Sequence, residues 1–194
     1  MNRELFRTTD GDPVPAVTAP EMAEVDRVAV EAFGLGVIQM MEHAGRTLSR
    51  VVLDSDADRI TVVAGGGGNG GGGLACARHL AARNRLRAVV CDRPAEEYTG
   101  APATQLQLLA NMDVEMIDAA ANPETATTVI DDADHVVDVL IGYGLAGAPR
   151  GIAAELIEAM DAAAPVTSLD VPSGIDATTG EAPGAVVDPE TTVT

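Results

Sequence analysis

The sequence predicts an α/β protein with a doubly wound, mainly parallel sheet between two layers of helices. Short apolar runs alternate with helical patterns from residue 59 to residue 170, and a glycine-rich turn separates the first run from its helix. Strands that alternate with helices pair in parallel through right-handed crossovers, which places helices on both faces. The core must be aliphatic, because the chain is 46% hydrophobic but only 2% aromatic.

The 194 residues suit one domain. Residues 1–18 are polar and contain proline, so we expect a loose arm there and a single domain over 19–194. Apolar residues at steps of three and four predict two leading helices, over 20–33 and 37–51. We expect these two helices to cover one face or an edge of the sheet.

Four strand–helix pairs are predicted next. The strands and their helices span 59–64 and 72–83, 86–91 and 102–111, 113–117 and 123–132, and 134–141 and 151–162. A strand at 165–170 follows. Residues 191–194 have the pattern of a further strand, so we expect the domain to be truncated here and the natural chain to continue beyond Thr194.

The charge excludes several partners. Thirty acidic residues against twelve basic ones give a net charge of −18, and all basic residues are arginine. Like charges repel, which argues against binding to nucleic acid or to an anionic membrane. A phosphate loop of the Walker type needs a lysine and is excluded. The charge is typical of proteins from a salt-saturated, halophilic cytoplasm; an acidic protein from a GC-rich genome is the alternative.

No targeting or membrane segment is visible. Arg3 and Arg7 are not followed by an apolar stretch, and no run approaches the roughly 18 apolar residues of a membrane span. We therefore expect a soluble cytoplasmic protein. Cys76 and Cys91 fall on a predicted helix and strand and are expected to be small core residues without a disulfide.

The glycine-rich turn is the strongest functional signal. Eight of the nine residues from Gly65 to Gly73 are glycine, and Asn69 is the exception. Glycine lets a ligand approach the backbone closely, and the free N–H groups of a helix start attract anions. We interpret the turn as a phosphate or dinucleotide site; a flexible linker is the alternative. Gly65, Gly67 and Gly70 with Asp92 also fit a dinucleotide-binding fingerprint, but an almost unbroken glycine run satisfies any such spacing.

Three loops should meet at the carboxyl edge of the sheet, where ligands of such folds bind. Asn69 lies in the first loop, Asp138 precedes the second, and Asp170 and Ser173 form the third. Their oxygen atoms suit a hard cation, a ribose or a carboxylate acting as acid and base, and do not suit zinc. Taken singly, each residue could instead cap a turn or a strand end. The isolated histidines are expected to be solvated or satisfied in the core.

Four motifs together resemble the YjeF N-terminal domain, the NAD(P)H-hydrate epimerase family. The glycine run followed by residues 73–80 resembles that family's "NNGGDGL…ARHL", and residues 41–45 resemble its "MENAG". Residues 138–145 resemble "DALFGTGL", and residues 169–176 followed by Gly180 match "DIPSGID…G". The motifs stand in family order over nearly the whole chain. One departure is that Gly68 and Gly72 occupy positions where the family has Asn and Asp.

The resemblance implies a three-layer α/β/α Rossmann-like fold, usually in a homodimer. It implies an epimerase that interconverts the R and S forms of hydrated NADH and NADPH (NADHX and NADPHX) in metabolite repair, with a separate dehydratase acting downstream. It implies a potassium ion held by Asn69, Asp138 and Ser173, and Asp170 as the catalytic acid–base group. The implied substrate-binding residues are Gly68, Asn69, Gly70, Gly71, Gly72, Gly142, Tyr143, Gly144, Leu145, Ala146, Gly147, Ala148 and Asp170.

Two other functions remain open at this point. Some relatives on this fold are non-catalytic binding or scaffold proteins, and Asp92 leaves room for a nicotinamide-dependent oxidoreductase. The presence of both Asp138 and Asp170 favours the epimerase.

Overall fold

The computed structural model describes residues 6–7, 11, 13–14, 17–162 and 164–194. Most of the predicted arm, 1–18, lies outside this range. Within it, β1 (Phe6–Arg7) pairs with β2 (Pro13–Val14) in an antiparallel ladder.

The main sheet confirms the predicted α/β class. It contains six described strands: β3 (Ile60–Ala64), β4 (Leu86–Cys91), β5 (Met116–Asp118), β6 (His135–Val139), β7 (Val166–Leu169) and β8 (Thr191–Val193). Their order is β5-β4-β3-β6-β7-β8, and every pairing is parallel. The chain runs outward from β3 on one side and then returns to β6 on the other. The point where the order reverses therefore lies between β3 and β6.

The described ranges contain six helices, and all but the first cover the two faces of this sheet. They are α1 (Ala19–Glu31), α2 (Val37–Leu53), α3 (Gly68–Ala81), α4 (Gly100–Ala110), α5 (Pro123–Asp131) and α6 (Ile152–Ala162), with a 3₁₀ turn at Ala95–Glu97. No helix in the described ranges is long and apolar enough to cross a membrane.

Two aliphatic cores hold the layers together. Successive side chains of a strand point to opposite faces, so Val62 packs with the core of α2, α3 and α4, and its neighbour Val63 with the core of α5 and α6. Leu48 and Leu74 are fully buried in the first core, and Ile157 is fully buried in the second. This division produces the three layers that the sequence predicts.

Helix α3 begins at Gly68, four residues before the predicted start at 72. The second half of the glycine run is therefore helical, although glycine is a poor helix former. Close packing explains this. A Cβ atom on Gly73 would lie 2.0 Å from Val139 Cγ2, and one on Gly71 would lie 2.3 Å from Met41 Cε. Only glycine lets α3 approach both the sheet and α2 so closely.

Helix α1 forms as predicted but within the described chain buries none of its side chains. Thr18 caps its start, accepting from the Glu21 amide and donating its own amide to the Glu21 carboxylate at 2.8 Å. The apolar stripe that predicted the helix faces outward: Phe33, just beyond its end, is 82% exposed, and Val25 is 50% exposed.

Candidate functional site

A cavity of about 550 Å³ lies at the carboxyl ends of β3, β6 and β7. This is where the strand order reverses, the usual ligand position in doubly wound sheets. We call it the site cavity. Its walls are formed by Asp26, Val37, Met40, Met41, Ala44, Gly67, Gly68, Asn69, Gly72, Leu140, Ile141, Gly142, Tyr143, Gly144, Leu169, Asp170, Val193 and Thr194.

The start of α3 opens into the site cavity. Gly67 and Gly68 are exposed there, and the amide of Gly71 makes the first helical bond, to Gly67 O at 3.0 Å. The preceding N–H groups have no helical acceptor and can receive an anion. Of the predicted substrate-binding residues in this run, Gly68, Asn69 and Gly72 line the cavity. Gly70 and Gly71 are buried behind its wall.

Asn69 carries an unsatisfied side chain. Both polar atoms of its amide are buried and have no hydrogen-bond partner among the described residues. A Cβ atom on Gly142 would lie 3.0 Å from Asn69 Cβ and 2.9 Å from Asp170 Oδ2. Glycine at position 142 therefore permits Asn69 and the carboxylate of Asp170 to lie on the same part of the wall. A buried side-chain amide without hydrogen-bond partners costs free energy unless a ligand supplies those partners.

Asp170 holds its carboxylate at the cavity in a restrained backbone conformation. Its φ angle is +67°, in the left-handed region, and its amide donates to Val193 O at 2.7 Å. Its Oδ2 accepts from the amide of Tyr143 at 3.0 Å. Burial raises the pKa of Asp170 above its usual value, the Tyr143 amide opposes this, and the negative charge of Asp26 adds to it. A partly buried carboxyl with a raised pKa suits proton transfer near neutral pH.

Asp138 and Ser173 lie together beneath the cavity and not on its wall. Asp138 is fully buried; its Oδ2 accepts from Ser168 Oγ at 2.8 Å and from the Ser173 amide at 2.9 Å. Its Oδ1 accepts from Ser173 Oγ at 2.5 Å and from the Leu140 amide at 3.2 Å. Burial raises the pKa of Asp138, and the hydrogen bonds from Ser173 oppose that shift. The sequence correctly places these two residues together.

The predicted cation ligands fit a monovalent hard cation by their chemistry. A carboxylate, a hydroxyl and an amide oxygen without a partner supply oxygen donors only. Asn69 makes no hydrogen bond to Asp138 or Ser173 within the described chain. The described residues include no cluster of three or more His, Cys, Asp or Glu side chains that could hold a metal ion.

The second glycine-rich loop contributes only its first part to the cavity. Gly142, Tyr143 and Gly144 line it. Four further residues that the resemblance implies in substrate binding lie outside its walls: Leu145, Ala146, Gly147 and Ala148.

One carboxylate of the cavity, that of Asp26, is not indicated by the sequence. Asp26 on α1 lines the wall, and its Oδ2 accepts from Tyr143 Oη at 2.6 Å. The two residues are 117 positions apart. Asp26 precedes Arg27 in an amphipathic helix, where a carboxylate is expected to be solvated, so no signal in the sequence distinguishes it.

Asp92 has hydrogen-bond partners within the protein. The carboxylate of Asp92 accepts from Arg93 at 2.6 and 2.9 Å and from Tyr98 Oη at 3.3 Å, away from the site cavity. Asp92 follows β4 and does not line the site cavity. Cys76 and Cys91 are buried free thiols, as predicted. Burial raises the pKa of both, to about 11 for Cys91.

His135 is a satisfied core histidine. Its Nε2 lies 2.9 Å from Thr167 Oγ1, and burial lowers its pKa.

The chain matches known proteins over most of its length. The family model described as "YjeF-related protein N-terminus" matches residues 37–194. The NAD(P)H-hydrate epimerase of Dehalogenimonas lykanthroporepellens is 42% identical, covering 97% of this chain and 77% of that protein. The NAD(P)H-hydrate epimerase of Limosilactobacillus fermentum is 34% identical, covering 92% of this chain and 84% of its own length.

Two further matches extend the comparison. The bifunctional NAD(P)H-hydrate repair enzyme Nnr of Hyperthermus butylicus is 38% identical over 92% of this chain, which spans only 34% of that longer protein. The crystal structure of the yeast protein ynu0 superposes with a TM-score of 0.78 at 24% identity, covering 92% of this chain and 79% of the yeast chain. This structural likeness concerns the fold alone.

Proposed function

We propose that this chain is an NAD(P)H-hydrate epimerase. The chain belongs to the YjeF-related protein N-terminus family. Its relatives named for that activity are 42% and 34% identical over at least nine-tenths of this chain. The substrates are the R and S forms of NADHX and NADPHX, and the product is their epimeric mixture. The observation that supports this proposal most directly is the partly buried carboxylate of Asp170 on the wall of the site cavity.

Asp170 is the acid–base group of this proposal. The reacting carbon, C6 of the hydrated nicotinamide ring, carries a hydroxyl beside the ring nitrogen. Its configuration inverts when the C6–O bond breaks and re-forms on the other face of the ring. The hydroxyl takes up a proton and leaves as water while the ring nitrogen stabilises the cation at C6, and water then adds to the other face and gives the proton back. The Tyr143 amide holds one oxygen of Asp170 in place. The raised pKa of Asp170 lets its carboxyl exchange that proton.

The start of α3 supplies binding for the substrate's phosphates. The N–H groups at Gly68 and Asn69 are free of helical acceptors and open into the cavity. Gly68 and Gly72 lack the side chains that the family motif provides, so the backbone carries most of the contact on this side. The apolar side chains of Met40 and Met41 on the neighbouring helix α2 also line the cavity.

A potassium ion belongs to the same proposal. Asn69, Asp138 and Ser173 would hold it through oxygen atoms, and the unpartnered amide of Asn69 supports this assignment. When bound, the ion would supply positive charge that offsets the charge of the buried Asp138 carboxylate.

The partners follow from the same reasoning. A dehydratase that consumes the S form acts downstream, and one relative is named as a bifunctional repair enzyme. A homodimer would cover the exposed apolar side chains of Val25 and Phe33. The net charge of −18 without lysine supports work in a cytoplasm of high salt.

The decisive test follows the conversion of purified R-NADHX in potassium buffer, with an S-specific dehydratase as the coupling enzyme. We expect NADH to form at a rate that depends on the amount of this protein. If the protein binds NADPHX in calorimetry but leaves the R form unchanged, it is a non-catalytic nucleotide-binding domain. If it neither binds nor converts the substrate, the proposal is wrong.

A further inference from the structure

Asp26 makes a long-range hydrogen bond that has no role in the reaction proposed above. It lies on α1, which buries none of its own side chains within the described chain. Its carboxylate accepts a 2.6 Å hydrogen bond from the phenol of Tyr143, in the loop after β6. Asp26 also lies outside residues 37–194, which the family model matches. This carboxylate therefore reaches the site cavity from a segment that the family model leaves out.

Tyr143 joins Asp26 to Asp170. The side chain of Tyr143 donates to Asp26, and its backbone amide donates to Asp170 Oδ2 at 3.0 Å. The hydrogen bond to Asp26, burial and nearby negative charge raise the pKa of Tyr143 to about 12. The phenol therefore keeps its proton at neutral pH and remains the donor.

The loop that carries this amide is held at its start, where Ser173 Oγ accepts from the amide of Ile141 at 2.8 Å. Gly142 and Gly144 flank Tyr143, and glycine leaves a backbone more freedom than any other residue. The other long-range hydrogen bond of α1 among the described residues joins the amide of Ala19 to Thr178 Oγ1, at the far end of the helix. Beyond the anchor at Ile141, the hydrogen bond from the phenol to Asp26 is therefore the restraint that holds Tyr143.

We propose that Asp26 is a positioning residue: through the phenol of Tyr143 it holds the backbone amide of Tyr143 on the carboxylate of Asp170. This inference rests on the proposed function in assigning proton transfer to Asp170. Asp26 itself does not touch the reacting atoms. It acts by keeping the Gly142–Gly144 backbone in the conformation in which Asp170 is oriented.

A double-mutant cycle tests this assignment. Asp26→Ala and Tyr143→Phe each remove one side of the hydrogen bond, so each should lower kcat for R-NADHX about tenfold with little change in KM. The double variant should also lose about tenfold and not about a hundredfold, because both changes break one interaction. Asp26→Asn keeps an acceptor and should restore most of kcat. Glu31→Gln, on the exposed side of the same helix, is the matched control and should match the wild type.

Amide hydrogen exchange gives a readout that does not require activity. Loss of the restraint should speed exchange of the Tyr143 amide about tenfold in Asp26→Ala and Tyr143→Phe, with no change in Glu31→Gln. Thermal unfolding of each variant should stay near the wild type, because α1 contributes no buried side chain.

Three results would overturn the inference: unchanged exchange at Tyr143, an unchanged kcat in Asp26→Ala, or multiplicative losses in the double variant. An inactive wild type would contradict the proposed function, and the exchange of the Tyr143 amide would then still decide whether Asp26 positions the loop.

Discussion

The amide and the hydroxyl of Ser173 both donate to the carboxylate of Asp138, at 2.9 and 2.5 Å. These residues are 35 positions apart, at the ends of neighbouring strands β6 and β7. The pair therefore fixes how the two loops that border the site cavity lie relative to each other. Ser173 Oγ also accepts from the amide of Ile141 at 2.8 Å, directly before the Gly142 loop.

Potassium should stabilise the fold through this pair and Asn69. We expect a higher melting temperature in potassium chloride than in lithium chloride at equal ionic strength. A ligand present at about 100 times its Kd adds about 2.7 kcal/mol. Asn69→Ala should abolish the difference, because it removes the unpartnered amide oxygen. Gln107→Ala on the exposed face of α4 should retain it. Equal melting temperatures in both salts would contradict the potassium site.

Asp170→Asn separates catalysis from turn structure. Asparagine tolerates the left-handed φ of +67° and can still accept from the Tyr143 amide. Loss of proton transfer should lower the epimerisation rate by about 10² to 10⁴, with little change in melting temperature. A coupled assay and calorimetry measure both. A variant that melts earlier and keeps a near wild-type rate would show that Asp170 is a structural cap.

Two glycines of one run should respond in opposite ways to alanine. A Cβ atom on Gly73 would lie 2.0 Å from Val139 Cγ2, whereas one on Gly68 meets nothing within 4 Å. Gly73→Ala should destabilise the protein by about 1–3 kcal/mol through overpacking. Gly68→Ala should leave stability unchanged or raise it by about 0.5 kcal/mol, because alanine restricts the unfolded chain. Urea unfolding of the two variants tests this, and equal losses would refute the packing argument.

Stability should fall as the pH drops below the usual histidine value. Burial lowers the pKa of His135 from 6.5, with the charge of Glu190 partly opposing the shift. The unfolded chain therefore takes up a proton before the folded one does. The contribution of His135 to the free energy of unfolding should be constant above about pH 7.5 and decrease from about pH 6.5 downward.

Substitution identifies the residue responsible. His135→Gln should reduce the slope of the free energy of unfolding between about pH 6.5 and about pH 5.5, and His79, whose pKa burial also lowers, contributes to the slope that remains. Chemical unfolding at several pH values measures it; an unaltered slope in His135→Gln would exclude this residue as the source.

The proposed homodimer should depend on Phe33. This side chain is 82% exposed, beside the half-exposed Val25. Phe33→Ser should raise the dimer Kd at least about tenfold, as loss of an aromatic interface residue commonly does. Sedimentation over a concentration series measures the Kd. Leu108→Ser, on α4, is the control for an exposed apolar residue elsewhere. A wild type that stays monomeric at every concentration would contradict the dimer.

The fold was predictable because its signals are local. The run Ile60–Ala64 is β-branched and bounded by glycine, and the helical stripe of Ile157 and Met160 is completed within one helix. The meeting of Asp138 with Ser173 was predictable for a related reason: parallel strands place their ends on one edge. The start of α3 at Gly68 was not predictable from the sequence. Gly71 and Gly73 are helical because of their tertiary contacts with Met41 and Val139.

The site was predictable only in part. Asp170 and Asn69 follow directly from strand ends, whereas Asp26 reaches the cavity from a separate helix through Tyr143. No periodicity encodes a hydrogen bond across 117 positions. The sequence also does not show whether the apolar stripe of α1 faces the core or the solvent, because apolar residues have the same helical spacing in a core and in an interface.

The two walls of the site cavity differ in how much conformational freedom a ligand can remove. On the α3 side the wall is largely backbone of Gly67, Gly68 and Gly72, which has no side-chain rotamers to lose on binding. On the α2 side Met40 and Met41 carry flexible, polarisable side chains. In the proposed binding mode, the phosphate end of a nucleotide would meet backbone that has no side-chain entropy to lose, while methionine rotamers would adapt to the ring of either epimer. A single cavity could in this way accept both the R and the S epimer of the proposed substrate.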